Sequence, residues 1–165
     1  MTDKDFISEF SKSVGSMSKE QLFNLAFHDS LTGLYNRSAL EIMRPKIDSL
    51  YCKVMIADVD HLKEENDQFG HHKGDQLIIE CAAILKKNSH VAFRLGGDEF
   101  LTLCFYPSVL MPIYSGPFDE EGVKTFQKMS IGHVIKSQKQ SLSSAMREAD
   151  VLMYYMKGEK KNARY

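Results

Sequence analysis

An excess of either charge is missing from this chain: 21 Lys and Arg stand against 22 Asp and Glu, a formal net charge of −1 over 165 residues. No general basic field advertises binding to nucleic acid or to a membrane, and any anionic ligand must be held by local groups. No apolar run approaches the roughly 18 residues of a membrane-crossing helix. The opening "MTDKDFISEFSKSVGS" lacks the basic-then-apolar layout of a signal peptide. Cysteine is scarce: Cys52, Cys81 and Cys104 are odd in number and scattered without metal-type spacing. They read as reduced core or near-core thiols of a cytoplasmic protein. Proline is scarce too, and three of the four fall between residues 106 and 128, where loops are expected. Internal repeats and low-complexity tracts are also lacking.

What is present suits one compact domain with a short appendage: 43% hydrophobic and 26% charged residues. Phe6, Ile7, Phe10, Val14 and Met17 recur at helical spacing, and Ser18-x-x-Gln21 resembles a capping box before Leu22, Phe23, Leu25 and Ala26. Residues 1–28 are therefore an N-terminal helical segment, two short amphipathic helices broken at Gly15-Ser16, and 29–165 form the main domain. "DSLTGLYNR" (29–37) is a turn-rich connector in which Asp29, Asn36 and Arg37 fix the chain through hydrogen bonds. A helical pattern over 38–50 should be kinked or shortened by Pro45. "KVMIADV" (53–59) is a strand, "DHLKEENDQFG" (60–70) a short helix with Asp60 as its cap, and Asp75 starts a longer helix with Leu77, Ile78, Cys81, Ala82 and Leu85 on one stripe. "VAFRL" and "EFLTLCF" pair around Gly96-Gly97, "MSIGHVI" is another strand, and a final helix buries Leu142, Ala145, Met146, Ala149, Leu152, Met153 and Met156. The fold class is α/β, an α+β sandwich with a central, mostly antiparallel sheet flanked by helices.

The turn in "FRLGGDEF" (93–100) poses the functional question. Gly-Gly closes a hairpin readily, and an acidic residue after such a turn is ordinarily a solvated turn residue. Three further segments stand in order around it: "DSLTGLYNR", "ADVDHLKEENDQFGHHKGDQL" (57–77) and "ADVLMYYMK" (149–157). If the strand ending at Asp58 lies beside the hairpin, Asp58, Asp98 and Glu99 converge at one end of the sheet. Hard carboxylate oxygens are what Mg²⁺ prefers.

Together these segments resemble the GGDEF family of diguanylate cyclases, over residues ~22–162. The resemblance implies a nucleotidyl-cyclase palm-like fold and the condensation of two GTP into cyclic di-GMP with release of pyrophosphate. In that reaction a 3′-hydroxyl attacks an α-phosphate with the help of Mg²⁺, or Mn²⁺ in its place. It further implies that Asp58, the carbonyl of Val59, Asp98 and Glu99 hold the metal, and that Asp98 also accepts the 3′-hydroxyl proton. Asn66 and Asp75 match the guanine-reading positions, since a carboxylate suits the N1–H and amino donor pair. Lys63 and the amides near His61 and Leu62 match phosphate contacts at a helix N-terminus. Lys157 and Lys161 are the matching cations of the last helix, and Lys161 stands where the family usually has an arginine and so lacks its fork. The implied partners are GTP, a second copy of the chain in a functional homodimer, with Phe6, Phe10 and Val14 as candidate contacts, and an upstream sensor domain or partner, because some 28 residues are too few for one. His71-His72 read as turn and packing residues.

Some features depart from the family pattern. Glu65 replaces an apolar residue, Leu62 a phenylalanine, and 106–128 leave room for a shortened helix at best. At 87–90, where many members carry an inhibitory Arg-x-x-Asp, this chain has Lys87-Asn88-Ser89-His90, so tight product inhibition is not expected. The competing reading is a non-catalytic regulatory domain that binds GTP or a cyclic dinucleotide. A cyclase with relaxed base choice is a third, against which Asp75 argues.

Overall fold

The computed structural model describes residues 2–105, 125 and 127–162, with Lys161 and Asn162 described by backbone alone. The centre of the fold is β1 (Cys52–Val59), buried at every position. Its residues alternate between two cores, one on each face of the sheet. Cys52, Val54 and Ile56 pack with Leu40, Ile47, Leu142, Ala145 and Ala149, while Met55, Ala57 and Val59 pack with Leu77, Ile78, Cys81 and Leu85. Beside β1 lie β2 (Val91–Gly96), β3 (Glu99–Phe105) and β4 (Met129–Lys136), in the order β2-β3-β1-β4 and antiparallel at each neighbouring pair.

The helices follow their sequence signals. α1 (Asp3–Gly15) and α2 (Lys19–Phe27) both start in capping boxes, Thr2 with Asp5 and Ser18 with Gln21. α3 (Arg37–Asp48) is capped by the Asn36 side chain, which accepts from the Ala39 amide at 3.0 Å and donates to the Ala26 carbonyl at 2.9 Å. Asp29 accepts from the Thr32 amide and hydroxyl, and Arg37 Nε donates to the Leu95 carbonyl. The three polar residues of the connector thus work as hydrogen-bond anchors. α4 (Leu62–Phe69), α5 (His71–Lys87) and α6 (Leu142–Asn162) complete the fold.

Pro45 lies inside α3, which ends at Asp48, two residues short of the pattern read over 38–50. One expectation needs correction. The longer helix starts not at Asp75 but at His71, so Gly74 lies inside α5. The missing Cβ at Gly74 leaves room for the Asn66 side chain, whose Oδ1 would stand 2.1 Å from it, so the glycine serves packing inside the helix rather than a turn before it. The loops expected over 106–128 lie outside the described residues except at 125 and 127–128, where Thr125 and Gln127 are helical.

Helix α6 lies against β4 with almost no gap. A Cβ at Gly132 would stand 1.9 Å from the Ala149 carbonyl oxygen and 2.3 Å from the Met153 nitrogen. At the end where α6 begins, the wholly buried Lys136 donates to the carbonyls of Asp48, Leu50 and Ser137 at 2.8, 2.9 and 3.1 Å. Asp48 in turn accepts from the Leu142 amide at 2.6 Å, capping α6. The three thiols are free: Cys52 and Cys81 are buried, Cys104 half-buried, and burial pushes the Cys81 thiol up to about 12.

Candidate active site

At the other end of β1 the sheet opens into a cleft of about 230 Å³. Two chain reversals build it. One is the β2–β3 turn, where Gly96 (φ +151°) and Gly97 (φ +51°) take a backbone path that L side chains resist. Arg94 braces this turn, donating through Nε and Nη2 to the Gly97 carbonyl at 3.0 and 2.7 Å and through Nη1 to Asp29 at 3.0 Å. The Asp98 carbonyl then accepts from the Val59 amide at 3.1 Å, which places Asp98 beside the end of β1. The second reversal is the β1–α4 turn, where His61 sits at φ +60°; it is the one non-glycine residue at positive φ among the described residues.

Asp58 is 8% exposed and stands opposite Glu99 on β3 and Ser130 on β4. Residues directly opposite across an antiparallel pair share a face, so Asp58 and Glu99 both lie on the face that α6 covers. From α6, Lys157 Nζ donates to Asp58 Oδ1. Burial raises the Asp58 carboxyl; the hydrogen bond from Lys157 pulls it back, and the charges of Asp98 and Asp60 push it up again, leaving it above its ordinary value. Burial draws the Lys157 ammonium down, but the bond and charge of Asp58, with Asp60 and Asp98, outweigh it and leave it raised. The negative charge gathered here acts on both groups in the same direction, adding to the effect of burial on Asp58 and opposing it on Lys157.

One helical turn further, Lys160 Nζ donates to Asp60 Oδ2 at 2.7 Å and to the Gln127 and Met129 carbonyls at 3.0 and 2.6 Å. Ser130 Oγ donates to the other Asp60 oxygen at 2.6 Å. The expectation that Asp60 caps the short helix is therefore wrong. His61 holds the cap position of α4 without a side-chain cap bond, its ring paired instead with Glu64, while Asp60 turns inward at 8% exposure, committed to Lys160 and Ser130.

Of the residues singled out in the sequence, Asp58, Val59, Leu62, Lys63, Asp98 and Lys157 come together at this cleft. Glu99 is exposed on its rim. Asn66 and Asp75 stand apart, at the α4–α5 junction, where the Asn66 side chain overlies Gly74, next to Asp75. The Lys161 side chain lies outside the described residues. Three participants were not foreseen: Arg94, Lys160 and Ser130. Arg94 had a signal, a charge between apolar neighbours on a strand leading into the turn. Lys160 and Ser130 had none, because their partner Asp60 is distant in sequence.

Among the described residues no three His, Cys, Asp or Glu side chains gather around one point. The donors that do meet are two carboxylates, Asp58 and Asp98, the charge of Asp98 opposing ionisation of Asp58, and a strand-end carbonyl at Val59. All are hard oxygens around an excess of negative charge, which fits a magnesium-type ion that takes its remaining ligands from water and phosphate.

Comparison with known proteins identifies the family. The family model described as "Diguanylate cyclase, GGDEF domain" matches residues 26–163. Diguanylate cyclase DgcN of Escherichia coli K12 is 33% identical over 159 residues, covering 85% of this chain and 39% of that protein. Cyclic di-GMP phosphodiesterase PdeR, also from Escherichia coli K12, is 33% identical over 156 residues, 84% of this chain and 24% of its own length. The chain thus spans well under half of these relatives. The solved coiled coil and GGDEF domain of DgcB from Caulobacter crescentus, in complex with c-di-GMP, superposes with a TM-score of 0.69 at 22% identity, over 94% of this chain and 92% of that one. No helix among the described residues is long and apolar enough to cross a membrane.

Proposed function

We propose that this chain, which belongs to the GGDEF-domain family, is a diguanylate cyclase that joins two GTP into cyclic di-GMP and releases pyrophosphate. The observation that carries this reading is the meeting of Asp58, Asp98 and Lys157 at one cleft, walled by the β1–α4 turn. Asp58, Asp98 and the Val59 carbonyl would hold Mg²⁺, with Glu99 assisting from the rim. Bound there, the ion supplies neutralising charge for the triphosphate and a lower pKa for the attacking hydroxyl.

The chain's own groups do the rest. Lys63, Lys157 and Lys161 take the phosphates, and the amides after His61 add donors at the start of α4. The Asp98 carboxylate receives the proton of the 3′-hydroxyl. Asn66 and the Asp75 carboxylate read guanine, Asp75 accepting from its N1–H and amino group. Each copy holds one GTP and ring closure needs two facing sites, so the working form is a two-fold dimer. Phe6 and Phe10, more than half exposed and stacked 6.2 Å apart on α1, suit that contact. Specific activity should then rise with protein concentration.

The deciding experiment is incubation with GTP and Mg²⁺ and identification of the product by mass. A second reading, a regulatory domain that binds nucleotide without turning it over, is favoured by one observation: Lys157 already occupies Asp58. Tight GTP binding with no product would select that reading.

A further inference from the structure

Helix α6 carries two lysines one turn apart, and each neutralises a different aspartate of β1 and its following turn: Lys157 with Asp58, Lys160 with Asp60. The two pairs differ in how fully the ammonium is used. An ammonium has three N–H donors. Lys160 uses all three, on Asp60 and on the Gln127 and Met129 carbonyls, and Asp60 spends its second oxygen on Ser130. Neither partner can leave without orphaning buried groups. Lys157 has one partner among the described residues, Asp58 Oδ1, and its other two donors face the cleft.

From this difference we infer that Lys157 is an exchangeable counter-ion, which occupies the cation position of Asp58 until a triphosphate draws it away. The proposal rests on the assignment of Asp58 as a metal ligand above, and it adds an order to the site. In the empty cleft the ammonium and a divalent cation compete for one carboxylate, because a dication beside an ammonium at the same oxygen is repelled. A phosphate chain offers Lys157 new acceptors, frees Asp58, and so opens the metal position only when there is substrate to use it. Lys160 takes no part in the exchange and keeps Asp60 neutralised throughout. By linkage, whatever Lys157 costs the metal in the empty site, it returns as coupling between metal and nucleotide.

The test is titration of the nucleotide-free protein with Mn²⁺, followed by the loss of the free-ion signal in electron paramagnetic resonance. Lys157→Met should bind Mn²⁺ about tenfold or more tightly than the parent, because it removes a competing positive charge from the ligand itself. Lys157→Gln, which keeps a polar head, should do the same, so one poorly folded variant does not decide the matter. Asp58→Asn and the double variant Asp58→Asn with Lys157→Met should both lose the site. Unchanged or weaker Mn²⁺ binding in both Lys157 variants, with the site still lost in Asp58→Asn, overturns the exchange and leaves the metal assignment standing. Retained binding in the double variant instead shows that the ion sits elsewhere, which overturns the metal assignment and the exchange with it.

Discussion

The two ends of β1 are made from the same parts and come out opposite. At the Cys52 end a lysine of β4, an aspartate of α3 and the first turn of α6 meet; at the Asp58 end two aspartates of β1 and its turn meet the last turns of α6. Lys136 is wholly buried, yet three carbonyls receive it, and Asp48 closes the helix start. That end is finished. Asp58 is nearly as buried but has one ammonium and two repelling carboxylates for neighbours. A buried charge with its full set of partners holds a fold together, whereas one with a partial set marks a candidate site.

The comparison breaks first at the open end. Asp98→Ala and Asp58→Asn should each lower cyclic di-GMP formation by at least about a hundredfold, as loss of an acid–base group or metal ligand does. Their melting temperatures should not fall, because neither removes core. For Asp58 the sign supports this: its folded carboxyl is raised, so its ionised form contributes no stability at neutral pH. Steady-state rates with saturating Mg²⁺, beside thermal melts, check both halves.

The finished end should respond the other way. Lys136→Met removes the donor to three carbonyls, those of half-buried Asp48 and Leu50 and of exposed Ser137, and should cost roughly 1–3 kcal/mol in urea unfolding, with the rate per folded molecule preserved. A variant that kept full stability would show that the carbonyls find other donors. A smaller effect belongs to the α4–α5 junction. Asp75→Ser removes the acceptor pair for guanine and should cut the preference for GTP over ATP more than tenfold, on the order of 1.5–3 kcal/mol. Competition binding with both nucleotides measures it.

The smallest effect separates two acids. Burial raises the Asp29 carboxyl, but hydrogen bonds from Thr32 and Arg94 overcome it and hold it below the ordinary 3.8. Its contribution to stability is therefore present above that value and lost as pH falls through the lowered one. Asp58, raised, shifts the balance in the opposite sense. Asp29→Asn should cost under about 1 kcal/mol near pH 6 and make the loss of stability below pH 4 shallower. Melts across pH 3–6 read the slope.

What the sequence made legible follows the range of the interaction. The Ser18–Gln21 capping box and the Gly-Gly turn involve near neighbours, and each stands where the residues indicate. The nearness of Asp58 to Asp98 and Glu99 was anticipated because all three sit at strand ends, and it follows once β1 pairs with β3. Asp60 was misread because a carboxylate before a helix has a local use as a cap, and only the fold brings Lys160 and Ser130 within reach. The start of α5 was misread for the same reason: Gly74 looks like a helix breaker until Asn66 is laid against it. At Pro45 the helix runs on for one more turn, with Ile47 buried in the core, and ends at Asp48, short of the pattern read to 50.

Gly132 carries a consequence for how such a chain can change over generations. With α6 held backbone to backbone against β4, any side chain at that position must lift the helix. The helix runs about 22 Å from Leu142 to Lys157, so the lift is felt at both of its ends at once. A drifting population can retune Lys157 or Lys136 singly and select on activity or on folding alone. At Gly132 it has no such freedom, because every variant is judged on both together.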